Sequence, residues 1–196
     1  MFQFVKEYVG CDFSKQVLAS FDVVSLYTNI PLTNTVDLLL DDLFANSDCF
    51  EFDGVSFSRE EFEKALELAV CNQHFLFDGK VYIQCDGVAM GSPLGPLLAN
   101  FYLSHVERNL LDFDREYSPV VYRRYVDDTF LVFRNQSDVS QCLEYFNSLC
   151  RLDFTCDSAD DGSLPFVGVS ASNSSVSPGF SVFRKNDIQL SDVRSH

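Results

Sequence analysis

Residues 122–130 read YRRYVDDTF, with two adjacent aspartates in a run whose other residues have the composition of a buried β-strand. Asp127 and Asp128 repel one another and are costly to desolvate, so a strand rich in Tyr, Val and Phe has no structural use for them unless something positive meets them. A metal ion is one such group. The flanking runs PVVYRRYV and TFLVF are both strand-like and are joined only at Asp127-Asp128, which puts the pair at the tip of a tight hairpin. Taken alone, Asp-Asp also makes a good solvent turn, because Asp tolerates the backbone angles a turn needs. A solvent turn does not require Tyr-Val before it and Thr-Phe-Leu-Val-Phe after it, nor a separate apolar strand that also carries an aspartate.

That separate strand is LASFDVVSL at residues 18–26, β-branched and flanked by aromatics, with Asp22 inside it or at its end. Pro31 opens an amphipathic helix through TNTVDLLLDDLF, and Asp53-Gly54 and Asp78-Gly79 between apolar alternations are strong hairpin signals. Ser58 with Glu61 forms a capping box ahead of the helix EEFEKALELAV. In GSPLGPLLANFYLSHVERNLL, Ser92 reads as an N-cap and Pro93 as the first helical residue of a long core helix. SDVSQCLEYFNSL is a further amphipathic helix, capped at Ser137 or Asp138. The stretches LDFTCD, LPFVGVSAS and GFSVFRK read as strand and turn, and SASNSSVSPG at 170–179 as a loop or hairpin tip. The order strand, helix, hairpin, helix, hairpin, long helix, hairpin, helix, strands describes an α+β domain, an antiparallel sheet backed by helices.

The chain has 196 residues, of which 46% are apolar, enough to fill the core of one sizeable domain. No run of about 18 apolar residues occurs and the N-terminus lacks a secretory pattern, so an intracellular protein with no membrane partner is expected. Seven cysteines without CxxC or CxxH spacing support neither a disulfide framework nor zinc. His74, His105 and His196 read as core or surface residues, because no Ser-His-Asp constellation accompanies them. The net charge of −15 weighs against tight nucleic-acid binding, which draws most of its affinity from Lys and Arg on phosphates.

From the residues alone, Asp22 at one strand end and Asp127 at the hairpin tip form a candidate site for two Mg²⁺ ions. The Val23 carbonyl supplies a further oxygen, and Asp128 is a weaker ligand or orients its neighbour. SFDVVSLYTNIPL at 20–32, DGVAMGSPLGPLLANFYLSHVE at 86–107 and YRRYVDDTFLVF at 122–133 resemble, in order, three palm motifs of reverse transcriptases. The wording TNIPL and AMGSPLGP is similar to that of Penelope-like retroelements, whose polymerases are relatives of telomerase. GSLPFVG and SVFRK, within 162–185, resemble the last palm segments of that family.

The resemblance implies a polymerase palm with part of the fingers and no thumb, spanning 1–185 and followed by a tail at 186–196. It implies RNA-directed DNA polymerase activity, with RNA template, DNA primer and dNTP as partners. Asp22, Asp127 and Asp128 would be catalytic, with Asp22, Val23 and Asp127 holding Mg²⁺ or Mn²⁺. Tyr27 would be the aromatic that rejects ribonucleotides, Gly91, Ser92 and Pro93 the nucleotide-binding turn, and Phe183, Arg184 and Lys185 the primer grip. A nuclear location follows if the chain is part of an active retroelement.

Only 21 residues precede Asp22, so the basic fingers segment that holds the triphosphate is expected to lie outside the chain, as is the thumb after Lys185. Val167-Gly168 stands where the family pattern reads Leu-Asp. With its basic surfaces elsewhere, the fragment alone is expected to bind primer-template weakly. The competing expectation is a catalytically inactive remnant or protein-interaction module. A two-metal nuclease or phosphatase would need a further Glu or His ligand, which the sequence does not place.

Overall fold

The computed structural model describes residues 2–8, 11–111, 116–159, 163–173 and 179–182. A four-stranded antiparallel sheet forms its centre, built from β1 (Val17–Val23), β6 (Val121–Tyr125), β7 (Asp128–Phe133) and β8 (Phe154–Ser158) in the order β6-β7-β1-β8. The inner strand β7 is buried from Thr129 to Phe133, which is why TFLVF is a continuous apolar run rather than an alternating one.

The two faces of the sheet are covered differently. Ala19, Phe21, Val23, Leu131 and Phe133 point into a core shared with α3 (Leu32–Phe44), α5 (Gly95–Leu111) and α6 (Gln136–Leu149). Leu18, Phe130 and Val132 point the other way. They pack against α1 (Phe2–Tyr8) and a three-stranded sheet of β9 (Ser163–Phe166), β10 (Val169–Ser172) and β11 (Gly179–Val182). Phe4 links these layers, with ring centroids 5.1 Å from Phe130 and 4.8 Å from Phe166. The helical backing follows the sequence reading, whereas the second sheet on the opposite face was legible only as unplaced strands.

Both Asp-Gly hairpins form: β2 (Cys49–Phe52) with β3 (Val55–Ser58), and β4 (His74–Phe77) with β5 (Lys80–Ile83). Their turns carry positive φ at both residues, 50° and 77° at Asp53-Gly54 and 47° and 71° at Asp78-Gly79, the geometry that matches strand twist. The capping box of Ser58 and Glu61 opens α4 (Arg59–Val70). Two helix starts differ from the sequence reading. The helix α6 is capped by Asn135, whose side chain accepts from the Asp138 N–H, rather than by Ser137 or Asp138. The start of α5 is Gly95, because Ser92 and its neighbours form consecutive turns, with Ser92 N–H on the Ala89 carbonyl and Gly95 N–H on the Ser92 carbonyl. Pro96, not Pro93, then occupies the first helical turn, where its missing N–H costs nothing. Among the described residues, no helix is long and apolar enough to cross a membrane.

Candidate active site

Asp22 lies next to the last residue of β1, and strand alternation puts it on the same face as Leu18, beyond the part of the sheet that is covered. Asp128 begins β7 and shares a face with Phe130 and Val132 by the same alternation. All three aspartates are exposed. The paired register of β1 and β7 runs from Val17–Phe133 to Ala19–Leu131. Continued, it would set Phe21 opposite Thr129 and Asp22 opposite Asp128.

At that end a side chain replaces the backbone ladder. The Phe21 N–H donates to the buried Thr129 hydroxyl at 2.6 Å, and that hydroxyl donates to the Phe21 carbonyl at 2.7 Å. Thr129 therefore satisfies both backbone groups of Phe21 and holds the Asp22 end of β1 beside the Asp128 end of β7. Nothing in the motif wording singled it out. The available signal was a β-branched hydroxyl residue directly after the acidic pair, on the buried side of the strand.

The hairpin tip differs from expectation by one residue. Tyr125 pairs with Asp128, so the two turn residues are Val126 and Asp127, and Asp128 belongs to the strand. The turn requires φ of 60° at Val126, an outlier for a β-branched residue of the kind that accumulates at functional sites. The Asp128 carboxyl is held above the usual carboxylate range, first by partial desolvation and then by the negative charges of Asp127 and Asp22. The register thus sets Asp22 and Asp128 at one end of the β1–β7 pair with Asp127 in the adjoining turn, and among the described residues none of the three has an ion-pair partner.

The donor set suits a hard divalent cation: all-oxygen, like-charged and uncompensated. Among the described residues, however, no three His, Cys, Asp or Glu side chains form a ready-made metal-ligating group. Val23 is buried opposite Phe154 of β8, and by the alternation of strand carbonyls its C=O points toward β7, as that of Phe21 does.

After β1 the chain turns at Ser25, with φ 49°, into the short α2 (Leu26–Asn29), which carries Tyr27. Tyr27 is half-buried against the main core, and its carbonyl accepts the Val88 N–H at 2.7 Å, tying the segment after Asp22 to the segment before α5. Gly87 makes this approach possible. Its φ is 73°, and a Cβ there would lie 2.5 Å from the Thr28 carbonyl oxygen. Gly91 has open space around it, so its lack of a side chain answers to no contact within the chain. Ser92 is half-buried, and Pro93 is exposed in the turn ahead of α5. The glycine that the packing requires is thus Gly87, which sequence reasoning had not named, while a Cβ at Gly95 would come within 3.2 Å of the Ala89 carbonyl oxygen. Phe183, Arg184 and Lys185 lie outside the described residues.

Residues 9–153 match the sequence profile of the family described as reverse transcriptase (RNA-dependent DNA polymerase). The chain belongs to the reverse transcriptase family. The matched region holds Asp22, the Tyr27–Val88 junction and the Asp127-Asp128 pair. No curated protein sequence matches the chain significantly.

Among solved structures, telomerase from Candida albicans in complex with a TWJ fragment of telomeric RNA superposes with a TM-score of 0.67 at 14% identity, covering 87% of this chain and 32% of that one. Apo telomerase from Candida tropicalis, truncated from the C-terminal domain, gives 0.61 at 13%, covering 86% and 35%. The BmCPV RNA-dependent RNA polymerase at elongation state gives 0.52 at 14%, covering 82% and 16%. At these identities the likeness is one of fold: a palm-like antiparallel sheet backed by helices. The chain spans about a third of the length of the telomerase chains.

Proposed function

We propose that this chain is the palm-centred part of a retroelement reverse transcriptase of Penelope-like type, which extends a DNA primer on an RNA template. What supports this reading is the register that puts Asp22 and Asp128 at one end of the β1–β7 pair, with Asp127 in the adjoining turn and no ion-pair partner for any of them among the described residues. The retroelement assignment draws on the wording TNIPL at 28–32 and AMGSPLGP at 89–96.

In this reading Asp22 and Asp127, with the Val23 carbonyl, hold Mg²⁺ or Mn²⁺, and Asp128 orients its neighbour. Bound there, the metal would supply neutralisation of the charge that develops as a primer 3′-hydroxyl displaces pyrophosphate from a deoxynucleotide. The protein's own contribution is positioning: Thr129 sets one carboxylate strand against the other, and the Gly87–Thr28 contact sets the Gly91-Ser92-Pro93 turn against Tyr27. Tyr27 would then select against a ribose 2′-hydroxyl. The net charge of −15 makes weak primer-template binding the expectation for the chain by itself.

Primer extension on an RNA template at low salt tests the reading, with Asp127→Asn as the control. Extension by the wild type that the variant abolishes supports a polymerase. Wild-type protein that is folded and extends no more than the variant would sink that function for this chain. A second reading, a non-catalytic interaction module, draws on the β4–β5 hairpin, where Phe75, Leu76, Phe77, Val81 and Ile83 are all at least half exposed.

A further inference from the structure

Arg124 stands in β6 two residues before Val126, and no motif assigns it a role. A guanidinium carries five N–H groups, and here all five are used. Nε and Nη2 donate to the two carboxylate oxygens of Glu107, the latter at 3.0 Å, and Nη2 also donates to Ser104 Oγ at 3.1 Å. Nη1 donates to Asn100 Oδ1 and to the Val126 carbonyl, both at 2.9 Å. The Arg124 and Glu107 side chains are 9% and 14% exposed, whereas every other ion pair among the described residues joins groups at least 45% exposed. Tyr122 donates its hydroxyl to the same Glu107 carboxylate.

The geometry has a direction. Asn100, Ser104 and Glu107 recur at helical spacing, so they present one face of α5, and four of the five Arg124 bonds anchor it there. The fifth reaches the peptide that leads into Asp127, within the turn where Val126 is held at φ 60°. Arg124, Glu107, Asp127 and Thr129 also border one small internal cavity with Val23, which places the anchor directly behind the carboxylate end of the sheet. A lysine would offer a compact point charge without the planar fork that serves helix and turn together.

We propose that Arg124 is a positioning residue: anchored on α5, it holds the Val126–Asp127 turn and so fixes Asp127 beside the strand ends that carry Asp22 and Asp128, where a divalent cation would draw the carboxylates together. The proposal rests on the reverse transcriptase reading of those carboxylates. Its test is the affinity of the purified chain for Mn²⁺, read from the paramagnetic resonance signal of the free ion, with fold monitored by circular dichroism. Arg124→Lys is expected to keep the fold and to lower Mn²⁺ affinity about tenfold, the loss typical when the support of a metal ligand is removed. Asp127→Asn should lower it further, and Arg59→Ala, at an exposed ion pair, should leave it unchanged.

Weakened binding by Asp127→Asn together with unchanged binding by a folded Arg124→Lys overturns the positioning role and leaves the metal reading standing. Unchanged binding by Asp127→Asn overturns the metal reading and the proposal with it. If Arg124→Lys does not fold, Asn100→Ala decides, because it removes the anchor from the nitrogen that also holds Val126. A loss of Mn²⁺ affinity supports the proposal, and unchanged affinity overturns it.

Discussion

Replacing Thr129 by valine isolates the bond that joins the two carboxylate strands. Valine matches threonine in shape, so the small cavity that Thr129 borders together with Leu103, Val106 and Phe146 is left as it is. What is lost is a hydroxyl that bonds both the N–H and the C=O of Phe21 inside the core. Each buried backbone group left without a partner costs about 1–3 kcal/mol, so the two together amount to about 2–6 kcal/mol. That is a large share of the roughly 5–15 kcal/mol that holds a domain together. Thr129→Ser keeps the hydroxyl and drops one methyl, with an expected cost of about 1 kcal/mol. Urea denaturation followed by circular dichroism measures both, and an unchanged slope shows that the unfolded state is the same. A Thr129→Val protein within about 0.5 kcal/mol of wild type would refute the role given to this hydroxyl. So would a serine variant as damaged as the valine one.

Gly87→Ala is expected to destabilise by about 2 kcal/mol or more, since its Cβ would meet the Thr28 backbone at a positive φ. Gly91→Ala, in open space, should leave thermal stability unchanged, so any effect it has on nucleotide incorporation reports on substrate contact. Val126→Asn should raise stability by about 1 kcal/mol, because Asn tolerates the left-handed region that Val resists, and a thermal melt decides. Burial first, with Asp138 and Cys156 adding, pushes the Cys142 thiol up to about 12. Iodoacetamide at pH 8 should therefore modify the exposed Cys11, Cys49 and Cys85 and spare Cys142 until urea unfolds the chain. Above about pH 8.5 the unfolded thiol loses its proton while the folded one keeps it. Stability should then fall with rising pH, and Cys142→Ala should flatten that fall.

Much of the local structure was legible because local physics dictates it. Asp53-Gly54 and Asp78-Gly79 suit the positive φ of tight hairpins, Ser58 and Glu61 cap each other across one helical turn, and TFLVF is apolar throughout because β7 is buried. Asp22, Asp127 and Asp128 were legible as a candidate site because unpaired carboxylates on apolar strands have no structural use. The register between the strands was not, since Ala19–Leu131 pairing joins residues more than a hundred positions apart and depends on what each face must cover. For the same reason the sequence placed Asp127-Asp128 at the tip, whereas pairing of Tyr125 with Asp128 moved the turn onto Val126.

By itself, then, the sequence determined the element types, the α+β class and the acidic residues, each set by spacing or charge within a short window. Only the tertiary structure decided which groups support those acids: the Thr129 hydroxyl on Phe21, Gly87 against Thr28, and the Arg124 fork between α5 and the Val126 carbonyl. A hydroxyl, a missing Cβ or a guanidinium has no sequence signature of its own. What each does depends on which partner the fold delivers and on whether water has been removed from between them.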